Sequence, residues 1–453
     1  MQQPEGFIEA SRPDDVCRLH KSLYGLKQAP KAWFDKLKSA LVQCGFTPSK
    51  SDHLLFIKRT SKAVTFILVY VDDILFTGDD SSSISQLIQQ LHSHFALKSL
   101  GSIQYFLGFE VIRTSSSLHL SQHKYAMDLL TRTKMLDSRP CATPAAVSIK
   151  LSAHDGDAFH DPSLYRSTIG ALQYLTLCRP DLAYIVNKLS QFLSAPTNIH
   201  WQACKRVLRY IRGTSDFGLI FQKSSNLSLE CFVDADWASS IDDRRSTSGY
   251  CAFLGGNLVT WSSKKQHVVA WSSTEAKYRS LAHGTAEVVW LSSLLHELGF
   301  PLSKCPILWC DNQGANQLAQ NPVFHARTKH IEIDVHFVRE KVASHQIEVR
   351  YIPSADQVAD LLTKPLSVLQ FDKLRVKLAV PQSHLRGAVK HPIPIAHDAG
   401  PMQESAAVEE GSASSLPAPV HTKEKDFSQT LRCNCQTPLP SSLRFEASRS
   451  QGG

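Results

Sequence analysis

The sequence predicts a protein of the α/β and α+β classes, with two ordered regions followed by a disordered tail. Up to about residue 222, short strand-like apolar segments alternate with segments of helical periodicity. Between about residues 227 and 365 the order becomes regular: strand, hairpin, helix, strand, helix, strand, helix. After about residue 380 the chain is rich in Ser, Pro, Ala and Glu. That composition buries too little apolar surface to offset the entropy lost on ordering.

These changes of pattern divide the 453 residues into four predicted parts, 1–110, 111–222, 223–370 and 381–453. A hydrophobic fraction of 43% with 20% charged residues is typical of globular chains. The longest apolar run, Phe66–Val71, is far shorter than the roughly 20 residues of a membrane helix. The N-terminus lacks the basic and apolar segments of a signal peptide, and the 11 scattered cysteines indicate reduced thiols. We therefore expect an intracellular protein without a membrane partner, in a cytoplasmic particle or in the nucleus.

The net charge of +8 is concentrated in clusters of basic residues that lie near aromatic ones. A single cluster of this kind often only solvates a surface. Several in one chain favour a track for a nucleic-acid backbone. The clusters are Lys21, Lys27 and Lys31 near Tyr24 and Trp33; Lys205, Arg206, Arg209 and Arg212 after Trp201; Arg244 and Arg245; and Lys264 and Lys265.

A first pair of acids, Asp72 and Asp73, lies between two apolar strand-like segments, Val64–Val71 and Ile74–Thr77. Neighbouring side chains of a strand point to opposite faces, so two adjacent acids can approach one site only at a turn. The tip of a hairpin supplies that turn. Adjacent carboxylates suit Mg²⁺, which binds one or two carboxylates and keeps waters and phosphates as its other ligands. Acids also occur in turns without any metal.

The second region predicts a mixed sheet with helices. The predicted strands share apolar, β-branched composition, and the helices share a 3.6-residue period. In chain order they are the strand Glu230–Trp237, the hairpin Ser248–Leu254 and Leu258–Ser262, a strand His267–Trp271 that extends the sheet, a long helix capped by Ser273 and Thr274, the strand Ile307–Trp309, the helix Lys329–Ala343, the strand Ile347–Ile352 and the helix Ala355–Leu362.

Four acids occupy strand ends and helix starts of this region: Asp234, Glu275, Asp311 and Asp360. Such positions converge at one edge of an α/β sheet, and four carboxylates in one place are costly unless a metal balances them. Each acid has an ordinary alternative role. Glu275 could complement a helix dipole, Asp311 could be a turn residue and Asp360 a solvated helix residue. Asp234 follows the apolar residues 231–233 and needs a compensating partner.

The motifs of the first region resemble the reverse transcriptase of copia-type retrotransposons. Tyr-Val-Asp-Asp at 70–73 resembles the active-site motif, and residues 21–33 resemble the palm motif that contacts template and nucleotide. Residues 107–110 resemble the primer-grip hairpin and residues 120–126 the start of the thumb. The resemblance implies that Asp72 and Asp73 are catalytic metal ligands. It also implies nucleic-acid contacts by Lys21, Lys27, Gln28 and Tyr70.

In this family a further catalytic aspartate precedes a Gln-Pro-x-Gly-Phe segment, which here is Gln3–Phe7. The expectation is that this aspartate and the fingers are missing. Asp14 and Asp15 lie on the wrong side of the motif to replace it. Two-metal phosphoryl transfer needs bridging carboxylates, so we expect no polymerase activity from this chain alone. An active polymerase would require the aspartate from another chain.

The second region resembles the copia-type RNase H. Residues 233–237, 272–276, 310–312 and 358–362 are similar to its four acidic motifs, and residues 328–334 to the segment between the last two. The resemblance implies that Asp234, Glu275, Asp311 and Asp360 hold two Mg²⁺ ions. Lys264, from the basic clusters, and Lys329, in the segment 328–334, are expected to contact nucleic acid. Asp236 is a rival for the first acid and Asp334 for the fourth, and no histidine is assigned as a proton shuttle.

The predicted architecture is a truncated reverse-transcriptase palm (1–110), a thumb and connection (111–222), an RNase H-like mixed-sheet domain (223–370) and a disordered tail (381–453). The expected activity is cleavage of the RNA strand of RNA–DNA hybrids. The expected partners are such hybrids or nucleic-acid duplexes, together with other element-encoded proteins. The alternative is a catalytically silent nucleic-acid-binding remnant, or a decayed element read as a gene. The missing palm segment and the tail favour that alternative.

Overall fold

The structure is a computed structural model that describes residues 3, 5–6, 8–16, 26–71, 73–95, 97–148, 150–321, 329–378 and 429–433. In this part of the chain, three bodies follow one another, each built on its own sheet. None of the helices described combines the length and the apolar composition needed to cross a membrane.

The first body is a sheet with two helices packed on one face. Its strand β3 alternates buried and half-exposed residues, so that Ile67 and Val69 face the helices together with Ile74 and Phe76 of the next strand. The elements are α1 (Ala29–Gln43), β1 (Thr47–Pro48), β2 (Leu55–Arg59), β3 (Val64–Tyr70), β4 (Asp73–Gly78), α2 (Ser81–His92) and β5 (Leu97–Ser102).

The hairpin predicted between the two apolar segments is confirmed. Strands β3 and β4 are antiparallel, and Tyr70 pairs with Asp73, so the connection is a two-residue turn. Its first residue, Val71, has a φ of +49°, which is strained for a β-branched side chain. Asp72, its second residue, lies outside the described residues. Backbone strain of this kind is concentrated at functional sites.

The predicted disordered tail lies almost entirely outside the described residues. Within it the structure describes one strand, Gln429–Cys433, which pairs antiparallel with both β4 and β5. Strand edges present unpaired backbone N–H and C=O groups, and an added strand satisfies them. A serine- and proline-rich composition gave no signal for this five-residue strand.

The second body is a four-stranded antiparallel sheet with a group of helices. Its strands occur in the order β6, β7, β8, β9. The last strand, β9, follows the helices in the chain and pairs antiparallel with β8. The elements are β6 (Tyr105–Phe106), β7 (Phe109–Arg113), β8 (Ser117–Ser121), α3 (His123–Arg132), α4 (Pro162–Leu175), α5 (Ala183–Ser190), α6 (Asn198–Gly213) and β9 (Gly218–Gln222).

The third body is a five-stranded mixed sheet in the order β12, β11, β10, β13, β14. The first three strands are antiparallel, while β13 and β14 run parallel to β10. The elements are β10 (Leu229–Asp236), β11 (Thr247–Leu254), β12 (Asn257–Lys265), α7 (Ser273–Glu297), β13 (Ile307–Cys310), α8 (Gln313–Gln320), α9 (Glu332–Ala343), β14 (Glu348–Tyr351) and α10 (Val368–Lys377).

The sheet of the third body is covered on both faces. One face packs on α7, α8 and α9 through residues such as Val233 and Leu308. The other face, with Cys251 and Phe253, shares a core with the helices of the second body. Across this shared core the Trp261 indole donates a hydrogen bond to the carbonyl of Thr176 at 3.2 Å.

Two predicted details around the long helix are wrong. The cap of α7 is Ser272, whose hydroxyl accepts from the Glu275 amide at 3.1 Å, and not Ser273 or Thr274. The segment His267–Trp271 is not a strand. The chain leaves the sheet at Gln266, because that side chain binds the Ala276 carbonyl at 2.9 Å and ties the loop to the start of the helix.

Two predictions near the end of the body are also corrected. Helix α8 was not predicted, since its sequence carries only one large apolar residue, Leu318, and the rest of its buried apolar stripe is the small Ala315 and Ala319. The predicted helix Ala355–Leu362 is instead two 3₁₀ segments, Ser354–Asp356 and Val358–Leu362. Pro365 follows closely and disfavours continued α-helix in the residue before it.

Candidate active site

Three acids meet at one edge of the third sheet. Asp234, Asp311 and Asp360 each offer a carboxylate oxygen, and these three oxygens lie within 4.8 Å of one another. Asp234 lies in the central strand β10, and Asp311 follows β13, which pairs in parallel with β10 up to Val233 and Cys310. Asp360 comes from the 3₁₀ segment Val358–Leu362. Sheet register therefore places the first two acids side by side, and the 3₁₀ segment adds the third.

A glycine lets that segment approach the sheet. Gly249 of β11 lies opposite Asp234, and a Cβ on it would stand 2.7 Å from Leu362 Cβ and 2.8 Å from Thr363 Cγ2. Without a side chain at 249, Thr363 reaches Asp234 and donates a hydrogen bond to Oδ2 at 2.5 Å. The Gln357 side chain also ties the segment to the sheet, donating to the Val233 carbonyl at 3.1 Å.

We predict that Gly249→Ala displaces the segment that carries Asp360. The added methyl group would overlap Leu362 Cβ, which is bonded directly to the backbone and cannot rotate away. Overpacking of this kind costs about 1–3 kcal/mol. Thermal or urea unfolding measures this loss. The matched control is Gly170→Ala in α4, where a Cβ meets nothing within 4 Å and alanine is the better helix residue. Equal stability of the two variants would contradict the close approach.

Two lysines neutralise the three carboxylates. Lys277 Nζ lies 2.9 Å from Asp234 Oδ1 and 2.5 Å from Asp311 Oδ1. Lys364 Nζ lies 2.9 Å from Asp360 Oδ1 and 3.7 Å from Asp234 Oδ2. Burial of a carboxylate as deep as Asp234, which is 0% exposed, requires such charge compensation.

The environment separates the pKa values of two of these acids. Burial raises the pKa of Asp234, but the ammonium groups of Lys364 and Lys277 and the Thr363 hydroxyl outweigh burial and hold it below its usual value. The pKa of Asp360 is raised, first by burial and then by the neighbouring Asp234 carboxylate. Asp234 is therefore the acid that stays ionised, and Asp360 is the one that takes up a proton first.

The donor set suits a hard divalent cation. Asp234 Oδ1 and Asp360 Oδ1 are buried, and each lies 2.9 Å from one lysine ammonium group. Clustered carboxylate oxygens with spare lone pairs are the ligands that Mg²⁺ prefers. The residues present therefore fit the magnesium site that the sequence predicts.

Glu275 is buried near this group but does not belong to it. Its Oε2 accepts from the Trp271 amide and its Oε1 from Arg279 Nη2, both at 2.9 Å. Arg279 also lies 3.9 Å from Asp334, the rival fourth acid. The rival first acid, Asp236, is half-buried at the end of β10 and its pKa is raised by burial.

Comparison with known proteins identifies the family of the chain. Residues 1–147 match the family described as reverse transcriptase (RNA-dependent DNA polymerase). The retrovirus-related Pol polyprotein from transposon RE2 of Arabidopsis thaliana is 49% identical over 380 residues, 84% of this chain. A putative transposon Ty5-1 protein of Saccharomyces cerevisiae is 33% identical over 291 residues, which cover 64% of this chain and 94% of that protein. The chain belongs to the copia-type retrotransposon Pol family.

This copia-type Pol chain spans 26% of the length of the RE2 polyprotein. Among solved structures, the foamy viral protease-reverse transcriptase in complex with an RNA/DNA hybrid matches 76% of this chain and 40% of that chain, with a TM-score of 0.39 and 12% identity. That low score does not by itself establish a shared fold. The reverse-transcriptase family matches residues 1–147. The predicted mixed α/β fold class is confirmed, and the third body has the mixed sheet with helices that the sequence predicts.

The remaining predicted residues that the structure describes with their side chains are not members of the carboxylate cluster. Tyr70 and Asp73 flank the turn of the first hairpin, and Lys27 and Gln28 precede α1. Lys264 is exposed near the end of β12. Lys21 and Asp72 lie outside the described residues, and for Lys329 only the backbone is described. The roles of all these residues stay predictions.

Sequence reasoning missed the two lysines and the threonine that contact the three clustered acids. Lys364 carries a signal, because a lysine four residues after an acid faces it on a helical turn. Lys277 carries none, since its long side chain reaches across from α7 to two strand ends. Thr363 also carries no sequence signal, because its contact with Asp234 depends on the space left by Gly249.

Proposed function

We propose that this copia-type Pol chain cleaves the RNA strand of RNA–DNA hybrids, with Asp234, Asp311 and Asp360 as ligands of divalent metal. The observation that supports this most is the convergence of three buried carboxylates at one sheet edge. The foamy viral protein was solved with an RNA/DNA hybrid, which is the same class of nucleic acid as the substrate proposed here. We assign Mg²⁺ as the ion.

When bound, two Mg²⁺ ions supply activation of the attacking water and stabilisation of the leaving 3′ oxygen. The chain's own residues hold the ligands in place for this. Thr363 fixes one oxygen of Asp234, and the Ser354 hydroxyl donates to Asp311 Oδ2 at 3.0 Å. Glu275 stays a prediction as the fourth ligand, and to reach the cluster its carboxylate must release Arg279.

A groove beside the cluster offers a place for the nucleic-acid backbone. It has a volume of about 810 Å³ and runs between the helices of the second body and the end of β10. Asp236 and the half-exposed Trp237 line it on the sheet side. Its basic lining residues are Lys150, Lys188, Lys205, Arg206, Arg209 and Arg244. Six cations against one acid give the groove the charge that attracts phosphates.

We predict that a Lys205→Gln, Arg244→Gln double variant weakens hybrid binding in a salt-dependent way. Each lost phosphate contact reduces the slope of log K against log salt by about one, so the slope should fall by about two. Fluorescence anisotropy with a labelled hybrid at several salt concentrations measures it. A matched change at exposed Lys304, away from the groove, should leave the slope as it was. An unaltered slope in the double variant would contradict backbone binding in the groove.

The proposed activity is tested with hybrids labelled on either strand, beside double-stranded DNA and double-stranded RNA of the same sequence. RNase H activity predicts Mg²⁺-dependent cuts in the RNA strand of the hybrid alone, because selectivity comes from duplex shape and 2′-hydroxyl contacts. No cleavage of any duplex by folded protein would refute the proposal.

A second candidate, a catalytically silent nucleic-acid-binding protein, is favoured by one observation. Lys277 and Lys364 place two ammonium groups among the carboxylates that a metal would need. Hybrid binding through the groove without any cleavage would support this candidate over the enzyme.

A further inference from the structure

Two lysines of the candidate active site lie in direct contact with its carboxylates. Lys277 projects from the first turns of α7, and its side chain is only 14% exposed. Lys364 follows the 3₁₀ segment that carries Asp360, and its side chain is 32% exposed. Each ammonium group touches two of the three carboxylates. Both lysines therefore act on the same oxygens that divalent metal would need.

The two lysines have opposite effects on the free and the metal-loaded protein. Without metal, three buried carboxylates with no compensating charge would repel one another, and two ammonium groups reduce that repulsion. With metal, the same ammonium groups would be like charges a few ångströms from a divalent cation. A contact that stabilises the metal-free site therefore opposes loading of the site.

We propose that Lys277 and Lys364 are internal counter-ions that compete with divalent metal for Asp234, Asp311 and Asp360, and so set the metal concentration at which the site loads. This rests on the proposed function, because it assumes that the cluster binds metal. The lysines hold the acids in place in the metal-free protein and withdraw on loading. A lysine can do this, since its ammonium group is carried on a flexible four-carbon stem.

The distances rank the two competitors. Lys277 contacts Asp234 at 2.9 Å and Asp311 at 2.5 Å, and so bridges the two acids that the sheet register fixes side by side. Lys364 contacts Asp360 at 2.9 Å but lies 3.7 Å from Asp234. Removal of the Lys277 charge should therefore have the larger effect on metal affinity.

The test measures metal binding without substrate, on the full chain stripped of metal. Mn²⁺ binding is followed by electron paramagnetic resonance for wild type, Lys277→Met and Lys364→Met, and sites lost in Asp234→Asn identify the cluster. One unit charge at this distance changes the proton affinity of a carboxylate by about 1–3 pKa units. We therefore expect Lys277→Met to bind Mn²⁺ at least about tenfold more tightly than wild type, and Lys364→Met to gain less.

Two further variants separate charge from structure. Lys277→Arg keeps the positive charge and should keep an affinity near that of wild type, and Lys304→Met removes an exposed lysine that lies outside the cluster. In EDTA, Lys277→Met should unfold at a lower temperature than wild type, and Mn²⁺ should raise its melting temperature by more than it raises that of wild type. If Lys277→Met does not fold, Lys364→Met carries the same comparison.

The outcomes distinguish the two proposals. Equal Mn²⁺ affinity in wild type, Lys277→Met and Lys364→Met, from protein that cleaves hybrids, overturns the competition and leaves the RNase H function standing. Absence of Mn²⁺ from the cluster in every variant overturns both. Tighter binding in Lys277→Met, with lower stability in EDTA, supports the competition even where hybrid cleavage is not seen.

Discussion

Asp234→Asn should lower the rate of hybrid cleavage at least about a hundredfold, because partners that only orient metal ligands already contribute about 10- to 100-fold. Asp234 is the central member of the cluster: both lysines, Thr363 and the two other acids surround it. The amide is close in shape to the carboxylate but loses the charge. The measurement is single-turnover cleavage of a labelled hybrid in Mg²⁺.

The control is Asp372→Asn on α10, where the exposed acid pairs with the partly buried Arg375. Asp372 is not a member of the carboxylate cluster, so cleavage should not change. Hybrid binding should persist in Asp234→Asn, since the groove is formed by other residues. Cleavage by Asp234→Asn at the wild-type rate would remove the cluster from the mechanism.

Arg179→Met should produce the largest loss of stability, about 3–5 kcal/mol, the usual cost of removing one partner from a buried ion pair. Arg179 and Asp181 are both buried, and two parallel hydrogen bonds of 2.9 and 2.8 Å join them. The guanidinium also donates to the Thr214 carbonyl, and the Tyr210 hydroxyl donates to Asp181. The variant leaves Asp181 buried beside one neutral donor.

Urea unfolding of Arg179→Met is compared with that of Arg132→Met, which removes an exposed arginine at the end of α3. Surface changes of this kind stay within about 0.5 kcal/mol. The loss should reach the third body as well, because α4 to α6 share a core with its sheet. A loss of less than about 1 kcal/mol in Arg179→Met would show that the pair is not compensating buried charge.

Strong apolar patterns predicted the parts of the fold that local sequence controls. The hairpin at 64–78 and the strand around Asp234 lie within two residues of their expected bounds, and the long helix begins within two residues of its expected start. Predictions were wrong where tertiary contacts determine the local backbone structure. The segment His267–Trp271 reads as a strand, but Gln266 ties it to a helix start. Helix α8 has an apolar stripe made mostly of alanine, which is a weak signal, and it begins at its cap by Asn312.

The candidate site was predicted in part for the same reason. Asp234 and Asp311 are set by strand register, which the order of elements already implies. Asp360 joins them through the room left by Gly249, which no spacing rule reveals. Glu275 lies in the first turn of the expected helix, but its carboxylate accepts from Arg279. The position of a residue in the sequence does not determine which of two available partners its side chain contacts. The lysine contacts are equally invisible in a linear sequence.

The most direct test of the account is anomalous diffraction from crystals of the full chain grown with Mn²⁺. We expect Mn²⁺ bound by Asp234, Asp311 and Asp360, with the Lys277 and Lys364 ammonium groups withdrawn from those carboxylates. The contradicting result is a cluster without Mn²⁺ and with both lysines still in contact, at a Mn²⁺ concentration that supports cleavage of the hybrid.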